Sequence, residues 1–282
     1  MSARPLFGVC LLATDRSPPP HVLAREVEAR GFDMLFFPEN SHVPVHRAKE
    51  WRHAEHLLDP LSRLYDPFVA LSAAAVATER LLLGFAVCLL THRDPINTAK
   101  AAASLDLLSN GRVILGIAGG ALDEAMRNHG SAFRERWRIV RDRALAMRAI
   151  WNMDKAEYHG EYTNFDPMWC YPKPLQRGGP PLWIGSNSKW VPSRVADYAD
   201  GWLVFNGRYE GNAAEDLRAA CVRRERDFEA VTLALMNAPR EAAAIDAQRA
   251  DGFKRFIFMV PPSDEEPYRE LDLLARLAEA CA

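Results

Sequence analysis

The sequence predicts an α/β fold of the TIM-barrel class, in which eight parallel strands alternate with helices and close into one sheet. Short apolar runs alternate with amphipathic stretches along the chain of 282 residues, and this alternation predicts repeated strand–helix units. Eight such units need roughly 250 residues, so the length fits a single domain over residues 1–282. The runs are also continuously apolar, as is typical of parallel strands that helices cover on both faces.

The predicted strands are apolar runs bounded by Gly, Pro or polar residues. In chain order they are Leu6–Leu12, Asp33–Pro38, Leu81–Leu90, Arg112–Ala118, Pro181–Gly185, Gly201–Phe205, Val231–Met236 and Arg255–Val260. A doubly wound open sheet is the alternative architecture. It usually has fewer strands, and the first strand–helix turn here lacks the G-x-G-x-x-G pattern.

Helix signals lie between these strands. Pro20, Pro67 and Pro95 each stand in the first turn of a predicted helix, and Gly31 follows the end of the first one. Later amphipathic stretches predict helices within 123–151 and near 189–198, 212–228, 240–250 and 264–280. Two irregular insertions, 40–65 after strand 2 and 152–180 after strand 4, are expected to lie over the same end of the barrel.

Composition excludes several classes of protein. The net charge of −2 gives no electrostatic footprint for nucleic acid or an anionic membrane. The apolar run near the N-terminus is too short for a secretory signal, and no run is long enough to span a membrane. Cysteines are odd in number and scattered, which indicates neither disulfides nor zinc and favours the cytoplasm. They are Cys10, Cys88, Cys170, Cys221 and Cys281.

Candidate site residues follow from the rule that a TIM barrel carries its site at the C-terminal ends of the strands. Two of these ends are glycine-rich or hydroxyl-rich turns before helices, where backbone N–H groups can bind phosphate. The candidates are Glu39, Asn40 and His42 after strand 2; Ala86, Val87 and Cys88 at strand 3; Ala118, Gly119 and Gly120 at strand 4; and Gly185, Ser186 and Asn187 at strand 5.

Several of these features have a structural alternative. The GIAGG turn at 116–120 can be a ligand-binding loop or, equally well, a tight packing turn. Arg93 can form a structural ion pair or can bind an anion. Aromatic residues within 158–171 can be the core of the insertion or a stacking platform. No metal is expected, because the spacing of the loop histidines does not place two imidazoles on one helix face. That cluster is His42, His46, His53 and His56, with Glu39 and Glu50.

A set of motifs resembles the luciferase-like monooxygenase superfamily over roughly residues 5–206. They are GFDMLFFPENSHVP at 31–44, TERLLLGFAVCLLTHRDPINTAKAAASLDLLSNGRVILGIAGG at 78–120, and then FRERWRIVRDRALAMRAIW, HGEYTNF, PKPLQ, PPLWIGSNS and YADGW in order. The combination of PENSHVP with CLLTHRDPINTAK is most similar to the branch that uses the deazaflavin coenzyme F420.

This resemblance implies a TIM barrel, a homodimer, and a flavin or deazaflavin bound in the barrel mouth. It implies a non-proline cis peptide between Ala86 and Val87, behind the cofactor ring, and places Glu39 near the polar edge of that ring. The ends of strands 4 and 5 would meet the ring or its phosphate tail. The family's helix-ending residues near Arg112 would be structural.

Three positions, at the ends of two strands, differ from the family pattern. The family's histidine after the acid is Asn40 here, which can donate a hydrogen bond but cannot titrate. His42 is then the candidate acid or base. At strand 4, Ala118 and Ala121 stand where Gly and Trp are common.

Three functions remain open from the sequence. The first is an F420-dependent oxidoreductase that transfers hydride to or from a small organic substrate. The second is an FMN-dependent monooxygenase, and the third is a degenerate barrel that binds a ligand without turnover.

Overall fold

Eight parallel strands form a closed barrel in the computed structural model, which describes residues 4–46, 55–261 and 267–282. Each strand pairs with its neighbour in chain order, and the last pairs with the first. This confirms the predicted fold class and each of the eight predicted strands. They are β1 Leu6–Cys10, β2 Met34–Phe37, β3 Leu82–Phe85, β4 Val113–Ala118, β5 Leu182–Gly185, β6 Gly201–Phe205, β7 Thr232–Met236 and β8 Arg255–Met259.

The helices surround this barrel. Pro67 and Pro95 open their helices as predicted, each after an aspartate whose carboxylate accepts backbone N–H groups of the first turn. The helices are α1 Pro20–Ala29, α2 Leu58–Ser62, α3 Pro67–Ala77, α4 Pro95–Leu108, α5 Asp123–Asn128, α6 Arg136–Asn152, α7 Val191–Tyr198, α8 Ala213–Arg223, α9 Ala242–Ala250 and α10 Tyr268–Ala280.

The core has an inner and an outer part. Inside the barrel, Phe36, Trp183 and Ile257 belong to a buried apolar cluster. A larger cluster lies between the strands and the helices. Apolar side chains thus project from both faces of the strands, which explains why the apolar runs are continuous in the sequence.

The predicted third strand, Leu81–Leu90, is interrupted. A cis peptide joins Ala86 and Val87, as the family resemblance implies. Beyond it, Cys88 and Leu89 pair again with β4, opposite Ile117 and Ala118. The apolar run is continuous because both parts are buried, so the sequence pattern does not reveal the break.

The second insertion differs from the prediction in form and in place. It follows α6 and therefore starts at the end of the barrel opposite the mouth, because barrel helices run antiparallel to the strands. Ala156–His159 and Asn164–Met168 form an antiparallel hairpin. The hairpin runs back along α6, where Glu161 N–H donates to Asp142. Only its tip near Thr163 reaches the rim beside His92.

The first insertion is partly described. A short 3₁₀ turn, Glu55–Leu57, leads into α2, and His46 and His56 are exposed. His53 and Glu50 lie outside the described residues. Within the described part of the chain, no helix is long and apolar enough to cross a membrane.

Candidate functional site

The mouth of the barrel has an apolar floor. Ala86, Val87, Phe205 and Met259 stand at the C-terminal ends of three strands, are partly exposed, and pack on the inner core. A flat, largely apolar group can therefore rest on this surface without burying unpaired polar atoms.

Two glycines make room for the end of β3. A Cβ atom added to Gly185 would lie 2.4 Å from Cγ1 of Val87, and one added to Gly116 would lie 2.0 Å from the carbonyl oxygen of Phe85. A side chain at Gly116 would displace the backbone at the end of β3, and one at Gly185 would displace the side chain of Val87. The predicted site residue Gly185 is thus required for shape, because only glycine permits this close approach.

Glu39 is buried beneath the mouth, with its side chain 3% exposed. Its Oε2 accepts a hydrogen bond from Leu89 N–H at 2.6 Å, and its Oε1 accepts one from Arg93 Nε at 2.5 Å. Arg93 also pairs with Asp66, which caps α3. Glu39 therefore ties β3 and the start of the next helix to β2, and Arg93 is a structural ion-pair partner, one of its two predicted roles.

Burial governs the ionisation of this group of residues. It raises the pKa of Glu39, while Arg93 and the Leu89 N–H act in the opposite direction. Burial by itself lowers the pKa of Arg93, but Glu39, Cys88 and Asp66 raise it, and the net shift is upward. Burial and Glu39 also raise the pKa of Cys88, so its thiol stays protonated behind the mouth.

Asn40 holds the loop that follows β2. Its Nδ2 donates to the carbonyl oxygen of His42 at 3.0 Å and to that of Leu61 at 3.3 Å. The amide is therefore engaged with the backbone and shapes the path of the chain through His42.

His42 lies in a polar cluster at the rim. Its Nδ1 is 2.9 Å from the hydroxyl of Ser41, and its Nε2 is 2.9 Å from Nδ2 of Asn128. The same Ser41 hydroxyl lies 2.8 Å from Nε2 of His129. The loop after β2 thus contacts the end of α5, across the end of β3.

His92 extends this cluster inward. Its ring stacks on that of His129 at 4.6 Å between centroids. Both ring nitrogens are buried and have no hydrogen-bond partner among the described residues. Burial lowers the pKa of His92 to about 4, and the nearby His129 is the second cause of this shift. This imidazole is therefore neutral at pH 7.

The ends of β4 and β5 form another part of the wall. Gly119 packs against Arg136, since an added Cβ would lie 3.1 Å from its Cβ, and Gly120 has a φ of +76°. Asn187 uses its whole amide on the backbone of Phe205, donating at 2.7 Å and accepting at 3.0 Å. The amide donor that the sequence suggested for an anion is therefore taken, while Ser186 is partly exposed.

Three arginines near the rim form no ion pair with any residue that the structure describes. Arg136 and Arg143 lie in the first half of α6, and Arg194 lies in α7. Burial lowers the pKa of each. Nη1 of Arg194 is also buried without a hydrogen-bond partner among those residues. Arg143 donates to the carbonyl oxygens of Leu90 and Arg93, so it is held by the backbone. Arg136 and Arg194 lie over the rings of Phe133 and Trp137 and have no counter-ion, so an anion at this part of the wall would be stabilised by them.

The strand-end rule selects His92 after strand 3, but sequence reasoning missed these arginines and His129 as site residues. Each of the missed residues lies in a helix or at its end, and only positions near strand ends were singled out. The basic run in FRERWRIVRDR at 133–143 was an available signal. Among the described residues, no group of three or more His, Cys, Asp or Glu is arranged to hold a metal ion.

Comparison with known proteins gives a family match across most of the chain. The family model described as luciferase-like monooxygenase matches residues 21–279. An uncharacterized protein of Mycobacterium tuberculosis is 38% identical over 206 residues, which cover 70% of this chain and 71% of that protein. The F420-dependent glucose-6-phosphate dehydrogenase of the same species is 29% identical over 251 residues, covering 87% of this chain and 65% of the enzyme.

Solved structures share the fold at low sequence identity. The monooxygenase RslO1 from Streptomyces bottropensis has a TM-score of 0.76 at 17% identity, covering 96% of this chain and 98% of that one. The coenzyme F420 dependent tetrahydromethanopterin reductase from Methanopyrus kandleri has a TM-score of 0.74 at 15% identity, covering 97% and 98%.

Proposed function

The chain belongs to the luciferase-like monooxygenase family, and we propose that it is an oxidoreductase that uses coenzyme F420 to transfer hydride to or from a small organic substrate. When bound, the deazaflavin supplies the hydride chemistry at its ring. The residues of the chain bind it, orient it and exclude water.

The observation that carries the proposal is a pair of arginines that have no counter-ion. Arg136 packs against Gly119 at the end of β4 and lies near Arg194, and neither forms an ion pair within the described chain. FMN has a single terminal phosphate, whereas F420 has a phosphate followed by a carboxylate-bearing tail. Two neighbouring cations without counter-ions are a better match for the longer anion.

The floor and wall also fit this type of cofactor. Ala86 and Val87, with Phe205 and Met259, offer an apolar surface for one face of the ring. The backbone at the ends of β4 and β5 would line the path from the ring to its tail, with Cys88 behind the floor. Those backbone positions are Ala118, Gly119, Gly120, Gly185, Ser186 and Asn187.

The polar residues after β2 would act on the substrate side. Glu39 is fully engaged by Leu89 and Arg93, so it would position the end of β3 rather than exchange a proton. Asn40 would fix the loop, leaving His42 as the acid or base among the residues predicted from the sequence. Similarity to the dehydrogenase from Mycobacterium tuberculosis supports the choice of cofactor, because that enzyme is F420-dependent.

A paired titration tests the proposal. The folded apo-protein is titrated with F420, with FMN, and with the deazaflavin chromophore that lacks phosphate and tail, at one ionic strength. We expect F420 to bind at least tenfold more tightly than either of the others. The variant Arg136→Gln/Arg194→Gln should lose most of this preference, whereas Arg80→Gln, an exposed arginine at the opposite end of the barrel, should keep it.

Other outcomes select the alternatives. A preference for FMN would favour the FMN-dependent monooxygenase, with its phosphate at the turn around Ser186. Failure of the folded protein to bind any of the three would contradict the proposal and favour the degenerate ligand-binding barrel.

We also propose that the protein is a homodimer that forms through α3 and α4. The helix α3 is apolar on nearly all sides, and Val69 and Val76 are 66% and 74% exposed on it. Leu107 and Leu108 are exposed on α4, which packs beside α3. Such a surface favours burial against a second copy. Light scattering should give twice the monomer mass, and Val69→Glu/Val76→Glu should shift it to the monomer.

The five cysteines are all free and buried. This supports the proposal of a reducing, cytoplasmic location.

A further inference from the structure

We propose that His42, Ser41 and His129 form a proton relay between the mouth of the barrel and solvent. The three side chains come from the loop after β2 and from the end of α5, and they form one continuous hydrogen-bonded chain. The inference rests on the proposed function, since hydride transfer to or from an alcohol or carbonyl requires a matching proton transfer.

The partners of His42 define its tautomer. Nδ2 of Asn128 can only donate, so Nε2 of His42 accepts this bond and carries no proton in the neutral ring. The proton of neutral His42 is therefore on Nδ1, from which it is donated to the Ser41 oxygen at 2.9 Å. Asn40 supports this arrangement by holding the carbonyl of His42.

The next bond follows from the first. The Ser41 oxygen accepts from His42, so its own hydroxyl proton is free to be donated to Nε2 of His129 at 2.8 Å. Neutral His129 then carries its proton on Nδ1. All donors point in the same direction, from His42 to His129, which is the order that a relay requires.

The transfer balances in protons and charge. When Nε2 of His42 takes a proton from the substrate, displacing Asn128, the ring becomes an imidazolium. Its Nδ1 proton passes to Ser41 as the hydroxyl proton of Ser41 passes to His129. The positive charge then lies on His129, which releases its Nδ1 proton to solvent. Reduction of a carbonyl would use the same path in reverse.

The surroundings favour release of the proton at His129. Ser41 and His129 are exposed, so water reaches the outer end of the chain. Partial burial of the ring lowers the pKa of His129, and the nearby His42 and Arg93 lower it further, which favours loss of a proton from this ring. The ring stacked on His129 is His92, which is neutral at pH 7 and adds no charge there. Arg93 is the remaining nearby cation, and it is neutralised by Glu39 and Asp66.

A first experiment needs neither cofactor nor substrate. Long-range ¹H–¹⁵N spectra of the histidine-labelled apo-protein at neutral pH report which ring nitrogen is protonated. We expect Nδ1–H for both His42 and His129, and we expect Ser41→Ala to remove this bias from His42. An Nε2–H tautomer at His42 in the unmodified protein would overturn the relay. His21→Gln, on the exposed surface of α1, is the control and should leave both signals unchanged.

A second experiment measures turnover against pH. With F420 and an accepted substrate, Ser41→Ala and His129→Gln should each lower kcat by tenfold or more and displace the pH–rate profile. Cofactor affinity should stay within about twofold of that of the unmodified protein, and the melting temperature should stay within about 2 °C. Unchanged pH profiles in both variants would contradict the relay while leaving the oxidoreductase intact. Absence of F420 binding and turnover in the unmodified protein would instead contradict the proposed function, and with it the relay.

Discussion

At the scale of single residues, Glu39 shows how one buried carboxylate can hold together the elements around a candidate site. It joins β2, the far side of the β3 break, and Arg93. The sequence predicted its importance from its place at a strand end. It could not predict that both oxygens are occupied, because Leu89 and Arg93 lie 50 and 54 positions away in the sequence.

The variant Glu39→Gln tests this role. It leaves Arg93 with Asp66 alone and places an amide N–H against a donor, so we expect a loss of about 2–3 kcal/mol in the free energy of unfolding. Urea denaturation measures it, with the exposed Glu79→Gln as the matched control. Cofactor affinity should fall as well, because the floor at Ala86 and Val87 shifts. Unchanged stability, affinity and turnover would exclude Glu39 from the site.

His92 gives a prediction about pH. Its folded-state pKa of about 4 lies below the value near 6.5 of an unfolded chain. The unfolded state therefore binds more protons between these two values, and stability is lost as the pH falls through that window. Allowing for partial access to solvent, the loss from pH 7 to pH 4 should be about 1–3 kcal/mol.

The variant His92→Gln should show a shallower decline in the free energy of unfolding over this window, and His21→Gln should show the same decline as the unmodified protein. Identical slopes for all three proteins would mean that His92 titrates normally.

At the scale of elements, signals within a few residues were readable from the sequence. Proline in the first turn predicted the start of α3 and of α4, and continuous apolar runs predicted the strands. The hairpin in 152–180 was missed because its strands are largely exposed and contain little apolar alternation. Its stability comes from contacts with α6, such as that of Glu161 with Asp142, which no local pattern records.

Arg112 connects several helices and strands by hydrogen bonds, in agreement with the structural role that the resemblance implies. It donates to the carbonyls of Ala75, Thr78, Leu81 and Ser109 and to the hydroxyl of Thr78. It thereby joins the ends of α3 and α4 to the starts of β3 and β4. A lysine cannot reproduce this planar set of donors.

Arg112→Lys should therefore lower the free energy of unfolding by about 2–4 kcal/mol. Cofactor affinity should be unchanged, because the residue lies at the opposite end of the barrel. Thermal unfolding with and without F420 measures both quantities, and Arg80→Lys is the control. A stable Arg112→Lys protein would show that the hydrogen bonds are redundant.

At the scale of the whole molecule, closure of the barrel creates the site. Ser41 and His129 are 88 positions apart, yet their side chains bond at 2.8 Å. Gly185 meets Val87 in the same way, through strands that are not adjacent in the sequence. The sequence predicted which strand ends meet at the mouth. Which side chains face one another there depends on strand register and helix tilt, which the pattern does not encode.

The distribution of charge around the mouth leads to the final prediction. The chain as a whole is nearly neutral, with a net charge of −2, so attraction of an anionic cofactor must come from the local arginines of α6 and α7. Exposed charges are screened beyond about 10 Å at 0.1 M salt. Raising NaCl from about 0.02 M to about 0.3 M should therefore weaken binding of F420 by roughly threefold to tenfold.

Binding of the deazaflavin chromophore without phosphate and tail should change less than twofold, as should binding of F420 to Arg136→Gln/Arg194→Gln. Equal salt dependence for F420 and the tail-free chromophore would show that the arginines do not contact the tail, and the preference for F420 would then have to come from the ring and the floor beneath it.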